Sequence, residues 1–192
     1  QEKIEKTFDS LIICTGSDSV FPPIENLIDN NKPVNGVFAV RTIDDAENIS
    51  NFIKKGGNAT IIGAGLIGLE MADNLNKKGM NITVIEAFPN ILPNTLDKDI
   101  SNLVYENISS HVKIFTDHLA TKIEKKEDKI NKVYFKDKKT NEEKEIETDL
   151  LILATGSKPN ISLAKKIGCK IGITGGIVVN EKSETSVKNV FS

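Results

Sequence analysis

The stretch ATIIGAGLIGLEMADNLNKKGMNITVIE, residues 59–86, decides the fold of this chain. It opens with a short apolar run at Ala59–Ile62, typical of a buried strand, and a glycine-rich turn follows directly. The apolar positions after the turn recur at helical spacing, and two lysines before Gly79 mark the helix end. A second apolar run, Ile82–Ile85, leads into the acidic Glu86. This order predicts one βαβ unit whose two strands are parallel.

The turn has the spacing G-x-G-x-x-G, formed by Gly63, Gly65 and Gly68. Three glycines alone are weak evidence, but these follow a strand, begin a helix and precede an acid by about 20 positions. In that setting the first glycine permits a tight turn, the second lets backbone N–H groups approach a pyrophosphate, and the third lets the helix pack closely on the sheet. The helix N-terminus adds free donors and a positive dipole end. We therefore predict a dinucleotide site; the alternative is a glycine-rich turn without a ligand.

Glu86 indicates which dinucleotide is bound. A carboxylate at the end of the second strand can accept hydrogen bonds from both adenosine ribose hydroxyls. A 2′-phosphate there would be repelled, because like charges about 4 Å apart repel by about 4 kcal/mol at an effective dielectric near 20. The next residues, AFPN from Ala87, contain no Arg or Lys to relieve the repulsion. The pattern favours NAD(H) over NADP(H), and an arginine at position 86 should remove the preference. The alternative is a merely solvated glutamate.

The rest of the chain completes an α/β pattern, predicted as a Rossmann-like parallel sheet with helices on both faces plus an antiparallel β-meander. The predicted elements are a helix begun by Thr42 with Asp45 in a weak capping box and ended at KKGG (54–57), a helix at 96–109, a third parallel strand at 111–115, a meander over 121–147, a buried strand at Leu150–Ala154 and one further strand in GGIVVNEKSETSVKNVFS.

Composition excludes several classes of function. The 192 residues carry a formal net charge of −2, which gives no reason to expect a nucleic-acid partner. No apolar run approaches the roughly 18 residues of a membrane span. Cys14 and Cys169 lie far apart without metal-ligand spacing, so we expect no metal site, small buried or loop positions for both, and a reducing cytoplasm. His111 and His118 are expected at the surface or in packing rather than in catalysis.

One strand ending occurs twice. LIICTGS at 11–17 and LILATGS at 151–157 both close an apolar run on Thr-Gly-Ser. Ligands of doubly wound sheets lie beyond the carboxyl ends of strands, where a glycine allows close backbone approach. The repeat predicts two dinucleotide sites, each with its own sheet, although the chain has one G-x-G-x-x-G.

In order and spacing, FDSLIICTGSDSVFPPI, VRTIDDAENI, IIGAGLIGLEMADNL, VIEAFPNIL, DLLILATGSKPN and GGIVVNEKSETSVKNVFS resemble the middle of a pyridine nucleotide–disulphide oxidoreductase. The resemblance covers nearly the whole chain and is strongest to the NADH oxidase, NADH peroxidase and coenzyme A disulphide reductase branch. It implies an NAD(H)-binding domain at 36–158, inserted into an FAD-binding domain represented by flanks at 1–35 and 159–192. The first Thr-Gly ending would then border FAD and the second NAD.

The resemblance also implies roles for individual residues. The pyrophosphate and nicotinamide side would be lined by Gly63, Gly65, Leu66, Ile67 and Gly68; the adenosine ribose would be held by Glu86, with Ala87 in the same site, and the pocket bordered by Ala154, Thr155 and Gly156. Ile123 matches a position near the adenine, Glu70 a glutamate near the nicotinamide–flavin contact, and Thr15 and Gly16 the strand end that borders FAD. For Glu70, an acid favoured by the helix dipole is the alternative.

The family's amino-terminal FAD fingerprint and redox-active cysteine have no match among these residues, and the sequence begins at Gln1 rather than Met. We therefore expect a fragment, inactive by itself and without catalytic residues, of a cytoplasmic, homodimeric flavoprotein in which NADH passes hydride to flavin. The flavin would then reduce oxygen, a peroxide or a disulphide. Two alternatives stay open at this point: a flavin-independent NAD-dependent dehydrogenase, and a stand-alone nucleotide-binding module.

Overall fold

A computed structural model describes residues 4–192, in two compact units. The larger unit is Val20–Thr155, and the smaller combines the described part of Gln1–Ser19 with Gly156–Ser192. The first three positions of the predicted flank 1–35, including Gln1, lie outside the described residues. Within the described residues, no helix combines the length and the apolar character that crossing a bilayer requires.

The elements follow one another with these bounds. The strands are β1 (Leu11–Ile12), β2 (Ser17–Ser19), β3 (Ile28–Asp29), β4 (Lys32–Pro33), β5 (Val37–Ala39), β6 (Asn58–Ile62), β7 (Asn81–Ile85), β8 (Lys113–Phe115), β9 (His118–Lys126), β10 (Lys129–Asp137), β11 (Glu143–Glu147), β12 (Leu150–Leu153), β13 (Ser157–Pro159) and β14 (Val190–Phe191). The helices are α1 (Ile43–Ser50), α2 (Leu66–Lys77), α3 (Lys98–Ile108) and α4 (Ser162–Lys166).

A five-stranded parallel sheet organises the larger unit, in the order β5-β12-β6-β7-β8. The strands β6 and β7 pair in parallel through Ile62 and Ile85, with α2 as the crossover, as the βαβ pattern predicts. On the other side, β12 pairs with β6 through Leu153 and Ile62. The carboxyl ends of β6, β7 and β12 therefore meet at one edge, where the glycine turn begins. The α/β class and the parallel sheet are confirmed.

Different elements cover the two faces of this sheet. Ile61, Val84 and Ile152 pack in one apolar cluster with residues of α1, α2 and α3. Their neighbours along the strands point the other way into a second cluster, where Ile62 and Leu151 pack with β9 and β10. The prediction of helices on both faces is therefore wrong: helices cover one face of this sheet, and the meander covers the other. Strand alternation leaves a second apolar face, and the apolar positions of the meander bury it instead.

The three-stranded antiparallel meander, in the order β11-β10-β9, is confirmed. Its apolar positions include Val133 and Phe135, both buried against the sheet. The segment before β5 packs here as well, through Ile24, Leu27 and Val34. For this reason the compact unit begins earlier than the segment 36–158 assigned from the sequence.

Several helix and strand boundaries differ from those predicted from the apolar periodicity. The helix α1 ends at Ser50 with Asn51 as its cap, so KKGG belongs to the turn that follows and not to the helix end. The helix α3 begins at Lys98, two residues later than predicted. The strand predicted within 175–192 is present as β14 at its end, and Ile177 forms only a single bridge with Ile171. Helix and strand ends depend on capping contacts that apolar periodicity does not encode.

The smaller unit has its own apolar cluster, with Ile13, Ala164, Cys169 and Val190 buried. The strands β1 and β14 pair in parallel, and β2 and β13 pair antiparallel. The two segments that follow the repeated Thr-Gly endings thus pair with each other. Cys169 is buried, and Cys14 is exposed in the loop between β1 and β2, so both take the buried or loop positions expected.

Replacing Thr42 with alanine is expected to lower the free energy of unfolding by about 1 kcal/mol, because it removes the cap of α1. The Thr42 hydroxyl accepts the Asp45 N–H at 3.2 Å, and the Asp45 carboxylate accepts the Thr42 N–H at 2.8 Å. Urea unfolding measures the change, and Thr42→Ser should retain most of the stability. An unchanged midpoint for Thr42→Ala would contradict the contribution assigned to this cap.

Candidate functional site

Two of the three motif glycines are required by the chain itself. Gly63 has a φ of +103°, and a Cβ there would run into the Ala154 backbone carbonyl. A Cβ on Gly68 would run into the Gly63 carbonyl and lie 3.3 Å from the Ala154 Cβ. Without side chains at Gly63 and Gly68, the first turn of α2 can lie close to the ends of β6 and β12. Both glycines would be needed whether or not a ligand binds.

Gly65 differs from the other two, because nothing in the chain requires a glycine there. Its φ of −79° and ψ of −174° suit any residue, and a Cβ would meet no atom within 4 Å. Gly65 is also the N-cap of α2, which has no side-chain cap and no acid in its first turn. The first N–H groups of the helix lack intrahelical acceptors and begin at this open position. The result is a cradle of backbone donors with room for an anion.

The first side chains of α2 form an exposed rim beside this cradle. Leu66 is 65% exposed and Ile67 is 54% exposed, although both are apolar. One turn further, the exposed Glu70 accepts a hydrogen bond from the Asn74 side chain at 3.2 Å. These residues lie on the same helix end as the cradle, and their predicted roles towards the nicotinamide stay predictions.

Glu86 is tied to the glycine turn rather than solvated. Its side chain is buried, with 5% of the residue exposed. One carboxylate oxygen accepts the Ala64 N–H at 2.6 Å, and the other accepts the Phe88 N–H at 2.8 Å. Each oxygen keeps a second lone pair for a further donor such as a hydroxyl. The carboxylate thus links the turn after β6 to the loop after β7.

A lysine that the sequence analysis missed lies at that loop. The Lys138 Nζ donates to the Ala87 carbonyl at 2.8 Å and lies 6.0 Å from the centroid of the Phe88 ring. Phe88 is 53% exposed. Lys138 belongs to the turn between β10 and β11, far along the chain from Glu86. Local sequence around AFPN therefore carries no signal for it.

The second Thr-Gly ending borders the glycine turn through its backbone. The Ala154 N–H donates to the Ile62 carbonyl at 2.8 Å, which continues the pairing of β12 with β6. The Thr155 hydroxyl donates to the Val20 carbonyl at 2.7 Å, and this bond joins the last and first residues of the larger unit. Gly156 falls in the smaller unit with a φ of +90°.

The first Thr-Gly ending is held by Asn160. The Thr15 hydroxyl donates to the Asn160 carbonyl at 2.5 Å, and the Asn160 N–H donates to the Gly16 carbonyl at 2.8 Å. The Thr15 hydroxyl and the Gly16 carbonyl are thereby engaged within the smaller unit.

Ile123 stands apart from the other predicted residues. Its side chain is 0% exposed in the cluster between sheet and meander. Its N–H donates to the Glu25 carbonyl at 2.9 Å, and its carbonyl accepts a bond from Asn26 at 3.4 Å. The structure gives this residue a packing role, and the adenine contact stays a prediction.

The histidines occupy different environments. His118 is buried beside Phe115 and Phe135, and its Nδ1 lies 2.7 Å from the Thr116 carbonyl. His111 is exposed and contacts the Ser110 hydroxyl at 3.0 Å. In the described part of the chain, no group of three or more His, Cys, Asp or Glu residues is arranged to hold a metal ion.

Comparison with known proteins places this geometry in a family context. Residues 1–192 match the family model for pyridine nucleotide-disulphide oxidoreductases. The chain is 39% identical over 193 residues to an NADH oxidase of Methanocaldococcus jannaschii, and 36% identical over 192 residues to an NAD(P)H coenzyme A polysulfide/persulfide reductase of Pyrococcus horikoshii. The alignments cover 99% and 98% of this chain and 40% of each relative. The chain thus spans about two fifths of the length of these relatives.

A solved structure has a similar fold. The chain is similar to a NAD-dependent persulfide reductase from A. fulgidus, with a TM-score of 0.85 and 34% sequence identity. That likeness covers 96% of this chain and 32% of the other.

Proposed function

This chain belongs to the pyridine nucleotide-disulphide oxidoreductase family, and from that premise we propose that it supplies the NAD(H)-binding part of an FAD-dependent oxidoreductase. Residues 36–158 would form the NAD(H)-binding domain, and the segments 1–35 and 159–192 would belong to an FAD-binding domain. The larger protein would be a cytoplasmic homodimer that acts on oxygen, a peroxide or a disulphide. The names of the relatives, NADH oxidase and persulfide reductase, support an oxidoreductase that uses a nicotinamide coenzyme.

The single observation that carries the proposal is the open cradle at Gly65. A glycine that no internal contact requires, at a helix N-terminus without a side-chain cap, leaves space and donors for an external anion. A coenzyme pyrophosphate fits both the charge and the close backbone approach. The exposed Leu66 and Ile67 would line the nicotinamide side, with Glu70 one turn behind them.

Glu86 would position the adenosine ribose. Because Ala64 and Phe88 hold its carboxylate from two sides, the remaining lone pairs have a fixed direction for ribose hydroxyl donors. This arrangement favours NADH over NADPH, since the carboxylate would lie close to a 2′-phosphate. Ala154 and Thr155 would border the same pocket through their backbone.

The flavin contributes the chemistry of hydride acceptance when it is bound, and the residues described here bind and orient the coenzyme. Of the proposed FAD site, this chain supplies Thr15 and Gly16, whose turn is held by Asn160. Purified chain should therefore bind flavin weakly or not at all, which a visible spectrum measures. Stoichiometric, tightly held flavin would contradict this assignment.

Calorimetric titration of the folded chain tests the proposed function directly. NADH should bind at one site per chain, and NADPH should bind more weakly. Circular dichroism confirms folding before each titration. The absence of heat with either coenzyme, on folded protein, would overturn the proposal.

Replacing Glu86 with glutamine is expected to weaken NADH binding about tenfold and to lower the free energy of unfolding by about 1–2 kcal/mol. The glutamine amide would turn an N–H group towards the N–H of either Ala64 or Phe88, where each carboxylate oxygen now accepts a bond. Titration and urea unfolding measure the two effects. Glu106→Gln, on the exposed side of α3, is the matched control and should change neither. Equal effects in both variants would remove the role assigned to Glu86.

A further inference from the structure

Lys138, beside the ribose end of the proposed site, has no part in the proposed function. Lys138 Nζ donates to the carbonyl of Ala87, the residue directly after Glu86, and lies over the exposed Phe88 ring. A positive charge is therefore bonded to the backbone of the residue that follows the proposed ribose carboxylate. The sequence around Glu86 contains no such cation, so the hairpin supplies it.

Backbone hydrogen bonds hold the lysine at this place. The Lys138 N–H donates to the Asp117 carbonyl at 2.8 Å, and the Asp117 N–H donates to the Phe88 carbonyl at 3.0 Å. The His118 N–H then donates to the Glu86 carbonyl at 3.0 Å. The loop after β7, the connection from β8 to β9 and the β10–β11 turn thus form one bonded ladder, which fixes the lysine backbone relative to Glu86.

The other charges of this turn are compensated, whereas that of Lys138 is not. Lys139 pairs with Asp117 at 2.6 Å, and this hydrogen bond raises the pKa of the Lys139 ammonium. The Asp137 carboxylate accepts the N–H groups of Lys139 and Thr140. Within residues 4–192, Lys138 Nζ bonds to a neutral carbonyl and has no carboxylate oxygen within 4 Å. Its full charge and two further N–H donors remain for a ligand.

Glu86 disfavours a 2′-phosphate, because a buried carboxylate is screened less than a solvated one. Its two oxygens already accept backbone N–H groups, and such charge-assisted bonds offset part of its negative charge. The Lys138 ammonium, bonded to the carbonyl of the next residue, Ala87, adds a compact cation of the kind that binds phosphate as a point charge. The carboxylate and the ammonium together carry no net charge.

We propose that Lys138 is a coenzyme-specificity residue that binds the 2′-phosphate of NADPH, so that the site accepts NADPH as a second, weaker coenzyme beside NADH. This inference rests on the proposed function, because it concerns the same coenzyme site. It adds to that function a binding residue, Lys138. It also adds a second coenzyme, NADPH, which the Glu86 carboxylate alone would reject.

Fluorescence titration of the folded 192-residue chain with NADH and NADPH tests the proposal. The variant Lys138→Met keeps the alkyl chain and removes the charge; it should weaken NADPH binding about tenfold and change NADH binding less than about twofold. Lys138→Arg should keep most of the NADPH affinity. Lys132→Met, about 20 Å further along β10, is the matched control and should change neither coenzyme.

A second measurement uses the unchanged chain and does not depend on the folding of any variant. Both 5′-AMP and 2′,5′-ADP should displace NADH, and added salt should weaken 2′,5′-ADP more than 5′-AMP because it screens the lysine–phosphate attraction. Displacement by 5′-AMP alone would overturn the role of Lys138 and leave the proposed function intact. An unchanged NADPH-to-NADH affinity ratio in Lys138→Met would likewise overturn the role of Lys138 and leave the proposed function intact. Failure of both coenzymes to bind would instead overturn the proposed function, and this inference with it.

Discussion

Replacing Gly65 with valine is expected to weaken NADH binding about a hundredfold, because the branched side chain would occupy the space that a pyrophosphate needs. The chain itself has room for the change, since a Cβ at this position meets no atom within 4 Å and the backbone is extended. The free energy of unfolding should fall by no more than about 1 kcal/mol, the cost of a poorer N-cap. Binding and stability are therefore expected to separate at this one glycine.

A graded series sharpens this test. Gly65→Ala should cost less affinity than Gly65→Val, because one methyl group fills less of the cradle. Gly176→Ala is the control: its Cβ would lie 3.8 Å from the Thr174 hydroxyl, an ordinary contact, and it belongs to the smaller unit. Calorimetry gives the affinities and urea unfolding the stabilities. Full NADH affinity in Gly65→Val would show that the coenzyme does not use the cradle.

Local pattern was enough to predict the βαβ unit and the meander. Apolar alternation and helical spacing are properties of neighbouring residues, and the three glycines mark the turn between Ile62 and Leu66. The capping box at Thr42 and Asp45 was readable for the same reason, since both partners lie within one helical turn.

Contacts between distant segments were not readable in this way. Periodicity does not tell that β12 lies between β5 and β6, or that the meander rather than a helix covers the second face of the sheet. Lys138 is the clearest case at the site. Its position beside Ala87 depends on the register of the β10–β11 hairpin and on the bond to Asp117. Neither the register nor this bond can be predicted from the residues around Glu86.

The glycine motif itself combines two demands that sequence alone does not separate. All three glycines match the same pattern, yet only the structure distinguishes those needed for packing from the one left open to a ligand. Gly63 and Gly68 are constrained by Ala154 and by each other, whereas Gly65 is not. The glycine pattern therefore reflects both packing and ligand binding. Single substitutions can measure the two contributions separately.

Gly68→Ala should show the packing demand at its strongest, with a loss of about 3 kcal/mol in the free energy of unfolding. In an ordinary helix interior the same change stabilises by roughly 0.5–1 kcal/mol, because alanine has the higher helix propensity. Here the new Cβ would run into the Gly63 carbonyl, a backbone atom that moves only if α2 shifts away from the ends of β6 and β12. The sign of the effect thus decides between helix propensity and close packing. Urea unfolding beside Gly65→Ala measures it, and a stabilised Gly68→Ala would mean that α2 does not depend on this close approach to the sheet.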